Sequence, residues 1–126
     1  MATMVCFEAA GTAYALPLET IRSVRPADDL VSLPDPAHDV VGIIPGDPPL
    51  TVISPLGAHA GHIVVVEDGG RAFGLLVDVV TGLERFDEGE IGKAPEGQGR
   101  QLVSGTLEVD GRMIFLADPI ALSGRL

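Results

Sequence analysis

The chain has 126 residues, of which 46% are hydrophobic and 21% are charged, and its formal net charge is −10. This length and composition predict one globular domain over residues 1–126 and exclude an intrinsically disordered chain. The acidic charge argues against a nucleic-acid backbone or an anionic membrane surface as partner, because both would repel it. Aromatic residues are scarce, with four Phe, one Tyr and no Trp, so the core must be aliphatic.

The single cysteine, Cys6, excludes an internal disulfide and a thiolate metal cluster within one chain. In an apolar strand it is interpreted as a small core residue. The first residues lack the basic and apolar regions of a signal peptide, and no apolar run approaches the roughly 20 residues of a membrane span. We therefore expect a protein of the reducing cytoplasm that does not insert into a membrane.

The N-terminal half alternates short apolar runs with turns. Proline and aspartate at several positions between residues 26 and 38 predict irregular structure there. The other elements predicted for this half are a hairpin of Val5–Ala9 and Ala13–Pro17 around Gly11-Thr12, a helical turn at Leu18–Ile21, and short strands at Val40–Ile44 and Leu50–Ile53.

The segment from Ile63 to Leu83 contains two apolar, strand-like runs joined by Glu67-Asp68-Gly69-Gly70. Gly-Gly between β-branched runs predicts a hairpin, because a two-residue turn requires positive φ angles that glycine adopts without strain. Gly74 lies inside the second run, where glycine usually marks a bulge or a sharp bend of a barrel. No catalytic residue is needed to explain this segment, which is typical of a small β-barrel that holds a partner.

The C-terminal part begins with residues Leu83–Arg100, which are polar and predicted to form a loop. Gln101–Val109 and Met113–Ala117 follow, and the Asp110-Gly111 pair between them predicts a second tight hairpin. Pro119–Leu122 predicts one helical turn. The whole pattern contains about nine short strands, at the spacing of a β-sandwich or β-barrel.

The sequence contains no set of residues typical of a catalytic, metal or cofactor site. His59 and His62 lie in a glycine-rich turn without an acidic partner nearby, and neither Ser54 nor Ser104 lies in a Gly-x-Ser-x-Gly elbow. Asp78, inside an apolar run, has two interpretations. It is either an acid in a pocket or, as we favour, a carboxylate that accepts hydrogen bonds from backbone N–H groups at a strand end. We predict no enzyme, no metal and no cofactor.

Several segments together resemble a known family in their order and spacing. They are Tyr14–Leu18, Ile21–Val24, Leu33-Pro34, Val40–Ile44, Gly74–Val80, Ile91 with Pro95-Glu96, Ser104-Gly105, Asp110–Arg112 and Ile114–Asp118. The chain resembles the CheW-like domain family, the coupling proteins of bacterial chemotaxis, from Phe7 to Leu122.

The resemblance implies an all-β fold of two interlocked five-stranded, SH3-like barrels around a shared aliphatic core, with short helical turns. It also implies a non-enzymatic adaptor that joins the helical tip of a chemoreceptor to the regulatory domain of a histidine kinase. The receptor helix would lie in the groove between the barrels. The partner-binding residues implied by position are Ile21, Ser23, Val24, Gly42 and Val65. On this basis Ile21→Asp is expected to abolish binding while the domain still melts cooperatively.

The chain departs from the family pattern at polar positions that the family uses for coupling. Pro45 stands where the family has an arginine, in a loop about two residues shorter, and Ser23 and Ser54 replace a glutamate and an aspartate. These departures leave a second hypothesis open, a divergent CheW-like module of a non-chemotaxis pathway that binds another regulator or self-associates. A third hypothesis is a small barrel that binds a ligand or catalyses a reaction with Asp78 as the acid.

Overall fold

The chain crosses twice between two β-sheets, so the second sheet is inserted between the N-terminal and C-terminal strands of the first. The computed structural model describes residues 1–33, 39–59, 61–94 and 102–126. The strands within these ranges are β1 (Ala2–Ala9), β2 (Thr12–Pro17), β3 (Ile21–Pro26), β4 (Val31–Ser32), β5 (Val40–Ile44), β6 (Leu50–Ile53), β7 (His62–Asp68), β8 (Arg71–Val77), β9 (Val79–Phe86), β10 (Val103–Val109) and β11 (Arg112–Ala117).

Helical structure in the described ranges is limited to short turns. They are three 3₁₀ turns at Leu18–Thr20, Ala27–Asp29 and Glu88–Glu90, and one five-residue helix, α1, at Pro119–Ser123. Asp118 caps α1, because its Oδ1 accepts a hydrogen bond from the backbone N–H of Ile120 at 3.0 Å. The turns predicted at Leu18–Ile21 and Pro119–Leu122 are therefore confirmed to within a residue.

The first sheet has the strand order β10-β11-β2-β1-β9, and the second has the order β3-β7-β8-β6-β5-β4. All strand pairs are antiparallel except β11 with β2 and β6 with β8. Gly92 pairs with Thr106 on β10, which brings the segment after β9 onto the opposite edge of the first sheet and closes it into a barrel. We call the first sheet the first barrel and the second sheet the second barrel.

The tight hairpins adopt the positive φ angles that their sequences predict. Gly69 and Gly70 have φ of 58° and 83°, and Asp110 and Gly111 have φ of 50° and 78°. This is the type I′ geometry that matches the right-handed twist of paired strands. In the first hairpin the turn consists of Ala10 and Gly11, one residue earlier than predicted, with φ of 51° and 78°.

Buried apolar residues form one cluster inside each barrel and a third between them. The cluster of the first barrel includes Met4, Cys6, Leu107 and Ile114, and that of the second includes Ile44, Val52, Ile63 and Leu76. The cluster shared by both barrels consists of Phe7, Leu16, Ile53, Val64, Val66, Phe73, Leu75, Val77, Leu102, Ala117 and Leu122. Branched aliphatic side chains from both sheets therefore meet in one core, as the resemblance implied.

Two local predictions were wrong, and of the bulge or bend expected at Gly74 the bulge is absent. Leu83–Phe86, predicted as loop, belongs to β9, which pairs with β1 over its whole length. The irregular region from residue 26 contains β4, while residues 34–38 lie outside the described residues. Gly74 lies in an unbroken register between β7 and β8, so it marks no bulge there. A Cβ on Gly74 would lie 2.7 Å from Ile63 Cγ2, so close packing explains the glycine.

Candidate protein-docking surface

Strand β3 forms one edge of the second sheet and presents its side chains to solvent. It pairs with β7, and no strand in the described ranges pairs with its other edge. Three consecutive residues, Arg22, Ser23 and Val24, are exposed, and Val24 keeps 43% of its surface in contact with solvent. An edge strand carries unpaired backbone groups that another chain can use. We call the residues Ile21–Pro26 the β3 edge.

The β3 edge begins where the chain crosses from the first barrel to the second. After β2 ends at Pro17, the 3₁₀ turn Leu18–Thr20 contacts both β1 and β7. The turn is stabilised by the Thr20 hydroxyl, which donates to the Pro17 carbonyl at 2.7 Å. Leu18 in this turn is 42% exposed. Leu18 and Val24 therefore expose two apolar side chains, one at the junction of the barrels and one on the β3 edge.

Two ion pairs lie along the β3 edge. Arg22 Nε is 3.1 Å from Glu67 Oε2, and Arg25 Nη2 is 2.9 Å from Asp29 Oδ2. All four side chains are between 38% and 59% exposed. Exposed pairs of this kind each stabilise a fold by about 0–1 kcal/mol. A partner that approaches the β3 edge can exchange them for new contacts at little cost.

The structure brings four of the five predicted binding residues together and separates the fifth. Ile21, Ser23 and Val24 lie on β3, and Val65 lies opposite Ser23 on β7. Ile21 is half-buried against the shared core, and Val65 is buried. Gly42 lies on β5, separated from β7 by β8 and β6 in the sheet. Ser23 and Val24 are thus directly accessible, whereas Val65 is buried on the neighbouring strand.

Gly42 permits the close approach of β4 to β5. A Cβ at this position would overlap the backbone carbonyl of Val31, and it would lie 2.8 Å from Leu30 Cδ1. Val31 is 49% exposed on β4. A larger residue at position 42 would therefore displace an exposed apolar strand. Val31 was not among the predicted binding residues, although the apolar pair Leu30-Val31 among polar neighbours was a signal for a short strand.

Cavities in the described ranges are small or open. One of about 230 Å³ lies at the end of the first barrel and is lined by Cys6, Ala13, Thr81, Gly82, Leu83, Glu84, Val109, Asp110, Arg112 and Ile114. This is below the roughly 300–1,000 Å³ of typical ligand pockets, and a second cavity of about 450 Å³ is an open surface cleft lined by Asp39, Gly124, Arg125 and Leu126. Burial, with a smaller contribution from the charge of Glu84, raises the pKa of the Cys6 thiol. The thiol therefore stays protonated at neutral pH and is a poor nucleophile.

The candidate catalytic residues take structural roles. Both carboxylate oxygens of Asp78 accept hydrogen bonds from backbone N–H groups, as predicted. The hydroxyls of Ser54 and Ser104 donate to backbone carbonyls at 3.4 Å. Among the described residues no group of three or more His, Cys, Asp or Glu side chains could hold a metal ion, and His38 lies outside those residues. No helix in the described ranges is long and apolar enough to cross a membrane.

Comparison with known proteins connects this geometry to a family. The family model of the CheW-like domain matches residues 47–125. The fold is also that of the crystal structure of the scaffolding protein TtCheW from Thermoanaerobacter tengcongensis, with a TM-score of 0.82 and 24% sequence identity. The match covers 93% of this chain and 84% of that chain, and it confirms the predicted fold of two SH3-like barrels. No curated protein is significantly similar in sequence.

Proposed function

The chain belongs to the CheW-like domain family, and we propose that it couples chemoreceptors to a histidine kinase in a chemotaxis-type signalling system. Proteins of this family are non-enzymatic scaffolds, so the chain is not an enzyme. The observation that carries the proposal is the family match over residues 47–125. We further propose that residues 1–126 form one CheW-like domain and that it acts in the cytoplasm.

The β3 edge is the proposed receptor contact. Ser23 and Val24 are exposed there, and the preceding turn with Leu18 leads back to the junction between the barrels. An apolar face of a receptor helix laid along this junction would bury Leu18 and Val24 together. Ile21 packs against the shared core, Val65 is buried on the neighbouring strand β7, and the regulatory domain of the kinase is the proposed second partner.

The test is titration calorimetry of the purified chain against the regulatory domain of a histidine kinase and, separately, against a receptor tip, both from its own organism. Saturable binding near 1 µM, or about −8 kcal/mol, is expected for a coupling protein. Val24→Asp should weaken receptor binding at least about tenfold, because a charge would be desolvated in an apolar contact. Met113→Asp is the matched control, since Met113 is 51% exposed on β11 of the first barrel. Equal effects of both variants would contradict the β3 assignment.

Ile21 is a poorer test position than Val24. Its side chain packs against the shared core, so a buried carboxylate in Ile21→Asp would lower stability as well as affinity. The expectation that this variant still melts cooperatively remains a prediction, and a thermal melt followed by circular dichroism checks it. Ile21→Val removes one methylene group without introducing a charge. Comparison with Ile21→Asp therefore separates the effect of lost packing from the effect of the carboxylate.

A second candidate function is favoured by the loop after β5. Residues 45–49 are all exposed, and Pro45 stands where the family has an arginine. A changed residue on the surface alters recognition without altering the core. The alternative is a CheW-like module that binds another regulator or a second copy of itself outside chemotaxis. Absence of binding to both chemotaxis partners by the folded protein, with a dimer seen in sedimentation equilibrium, would favour it.

A further inference from the structure

Asp78 occupies the point where the chain returns from the second barrel to the first. It is the single residue between the end of β8 at Val77 and the start of β9 at Val79. Its backbone N–H donates to the carbonyl of Glu8 on β1 at 2.9 Å. The main chain of Asp78 is therefore fixed to the first barrel directly after β8 leaves the second.

The carboxylate of Asp78 binds both barrels at once. Oδ2 accepts a hydrogen bond from the backbone N–H of Ala10 at 2.8 Å, and Ala10 lies in the β1–β2 turn of the first barrel. Oδ1 accepts from the backbone N–H of His59 at 2.9 Å, and His59 lies in the β6–β7 loop of the second barrel. One side chain thus joins two turns that belong to different barrels.

Gly61 allows the β6–β7 loop to close on Asp78, and Gly57 brings the same loop beside the β1–β2 turn. A Cβ on Gly61 would overlap the backbone carbonyl oxygen of Asp78. A Cβ on Gly57 would lie 3.5 Å from the Cβ of Ala10, which is ordinary van der Waals contact between the two barrels. The β6–β7 loop is therefore packed against the crossover and against the first hairpin, independently of the carboxylate hydrogen bonds.

The shared core and the Asp78 carboxylate contribute differently to the arrangement of the two barrels. Burial of apolar side chains is favourable but non-directional, so the area buried in the shared core does not by itself define one angle between the barrels. Hydrogen bonds to a carboxylate are directional and stronger than neutral ones. We propose that Asp78 is a positioning residue that sets the orientation of the two barrels and, resting on the proposed function, the shape of the groove that receives the partner.

The first test measures orientation without any partner. Residual dipolar couplings of the wild type should fit one alignment tensor for both barrels. In Asp78→Ala, which keeps the bond to Glu8 but loses both carboxylate bonds, each barrel should need its own tensor. The matched control is Asp87→Ala, because Asp87 is an exposed aspartate whose backbone hydrogen bonds to Glu90 stay within the 3₁₀ turn of the first barrel. A single tensor that fits Asp78→Ala as well as the wild type would overturn the proposal.

Two further measurements keep the proposal testable if Asp78→Ala does not fold. In the wild type, amide hydrogen exchange at Ala10 and His59 should be slowed at least about tenfold, although both residues lie in turns. Exchange of either amide at the rate of an unfolded chain would overturn the proposal. Asp78→Asn keeps one acceptor oxygen and should release one of the two amides, because an amide nitrogen cannot accept a hydrogen bond. Protection of both amides in Asp78→Asn would also count against it.

The consequence for binding is tested separately. Asp78→Asn and the control Asp87→Asn are titrated against the kinase regulatory domain and the receptor tip. Asp78→Asn should bind at least about tenfold more weakly, because ordering a groove of variable shape costs free energy on binding. The control should bind like the wild type. Unchanged affinity of a variant with altered orientation would overturn the link to the groove. If the wild type binds neither partner, only the proposed function is contradicted. The residual dipolar couplings still test the role of Asp78 in orienting the barrels, because they require no partner.

Discussion

The guanidinium of Arg125 lies 3.1 Å from the carboxylate of Asp39, and this contact ties the segment after α1 to the segment before β5. Arg125 follows the last strand of the first barrel, whereas Asp39 precedes a strand of the second. The backbone carbonyl of Asp39 also accepts a hydrogen bond from the backbone N–H of Ser54 at 2.8 Å. The two barrels are therefore linked by a second polar contact in addition to that of Asp78.

Arg125→Ala is expected to lower the free energy of unfolding by about 1 kcal/mol, because the pair is only 35% and 28% exposed. Arg112→Ala is the comparison, since Arg112 lies 3.9 Å from Glu8 and is 67% exposed. Arg112→Ala should lower the free energy of unfolding by less than about 0.5 kcal/mol. Urea denaturation measures both variants. Equal losses would show that the Asp39 contact contributes no more than an ordinary surface pair.

Gly74→Ala should destabilise the protein by about 1–3 kcal/mol, because the added methyl group has no free volume. It would lie 2.7 Å from Ile63 Cγ2 and 3.0 Å from Val52 Cγ2, both in the core of the second barrel. Gly89→Ala is the matched control, since a Cβ there meets no atom within 4 Å. The control should be neutral or slightly stabilising. A thermal melt that ranks the two variants in the opposite order would contradict the packing at Gly74.

Ala10→Gly should stabilise the protein by about 0.5–1 kcal/mol. Ala10 has a φ of 51°, a conformation that costs a residue with a Cβ roughly 1–2 kcal/mol and glycine almost nothing. Its N–H bond to Asp78 is kept by glycine. Ala13→Gly makes the same change in the extended strand β2 and should destabilise by about 0.5–1 kcal/mol. Denaturant midpoints of the two variants must therefore move in opposite directions from the wild type.

Cys6 makes stability depend on pH in the alkaline range. Burial, followed by the charge of Glu84, raises the pKa of the Cys6 thiol above its ordinary value of 9.0. Between the ordinary and the raised pKa the unfolded chain binds fewer protons than the folded protein, so this contribution to stability is complete below pH 9.0 and is lost as pH rises.

Urea denaturation between pH 8 and pH 10.5 should show the wild type losing stability relative to Cys6→Ala. The comparison with Cys6→Ala isolates the thiol, because burial also raises the pKa of Tyr14 above 10.0 in both proteins. At pH 8 the thiol of the folded wild type should react with a disulfide reagent at least about tenfold more slowly than that of the urea-unfolded chain. Parallel stability curves, or equal reaction rates, would contradict a buried and protonated thiol.

The hairpins were predictable because their chemistry is local. Gly69-Gly70 and Asp110-Gly111 adopt the positive φ angles that two-residue turns require, so four residues suffice to identify each turn. Strand β9 was missed for the opposite reason. Its residues Leu83, Glu84 and Arg85 are not buried and show no clear alternation of apolar and polar side chains, and pairing with β1 makes them part of a strand. An edge strand exposed to solvent does not need alternating apolar and polar residues. Its backbone pairing with a distant segment therefore cannot be recognised from its sequence.

The family, the aliphatic core and most of the short strands could be predicted from the sequence, because turn chemistry and apolar runs depend on neighbouring residues. The sequence also indicated that Asp78 accepts backbone hydrogen bonds, because short carboxylate side chains often bond to backbone N–H groups at strand ends. The fold was needed to show which N–H groups it binds, those of Ala10 and His59, which lie 68 and 19 residues away. It also placed Gly42 apart from the β3 edge. Contacts between distant segments depend on how the sheets close and pack, and no local pattern in the chain records that.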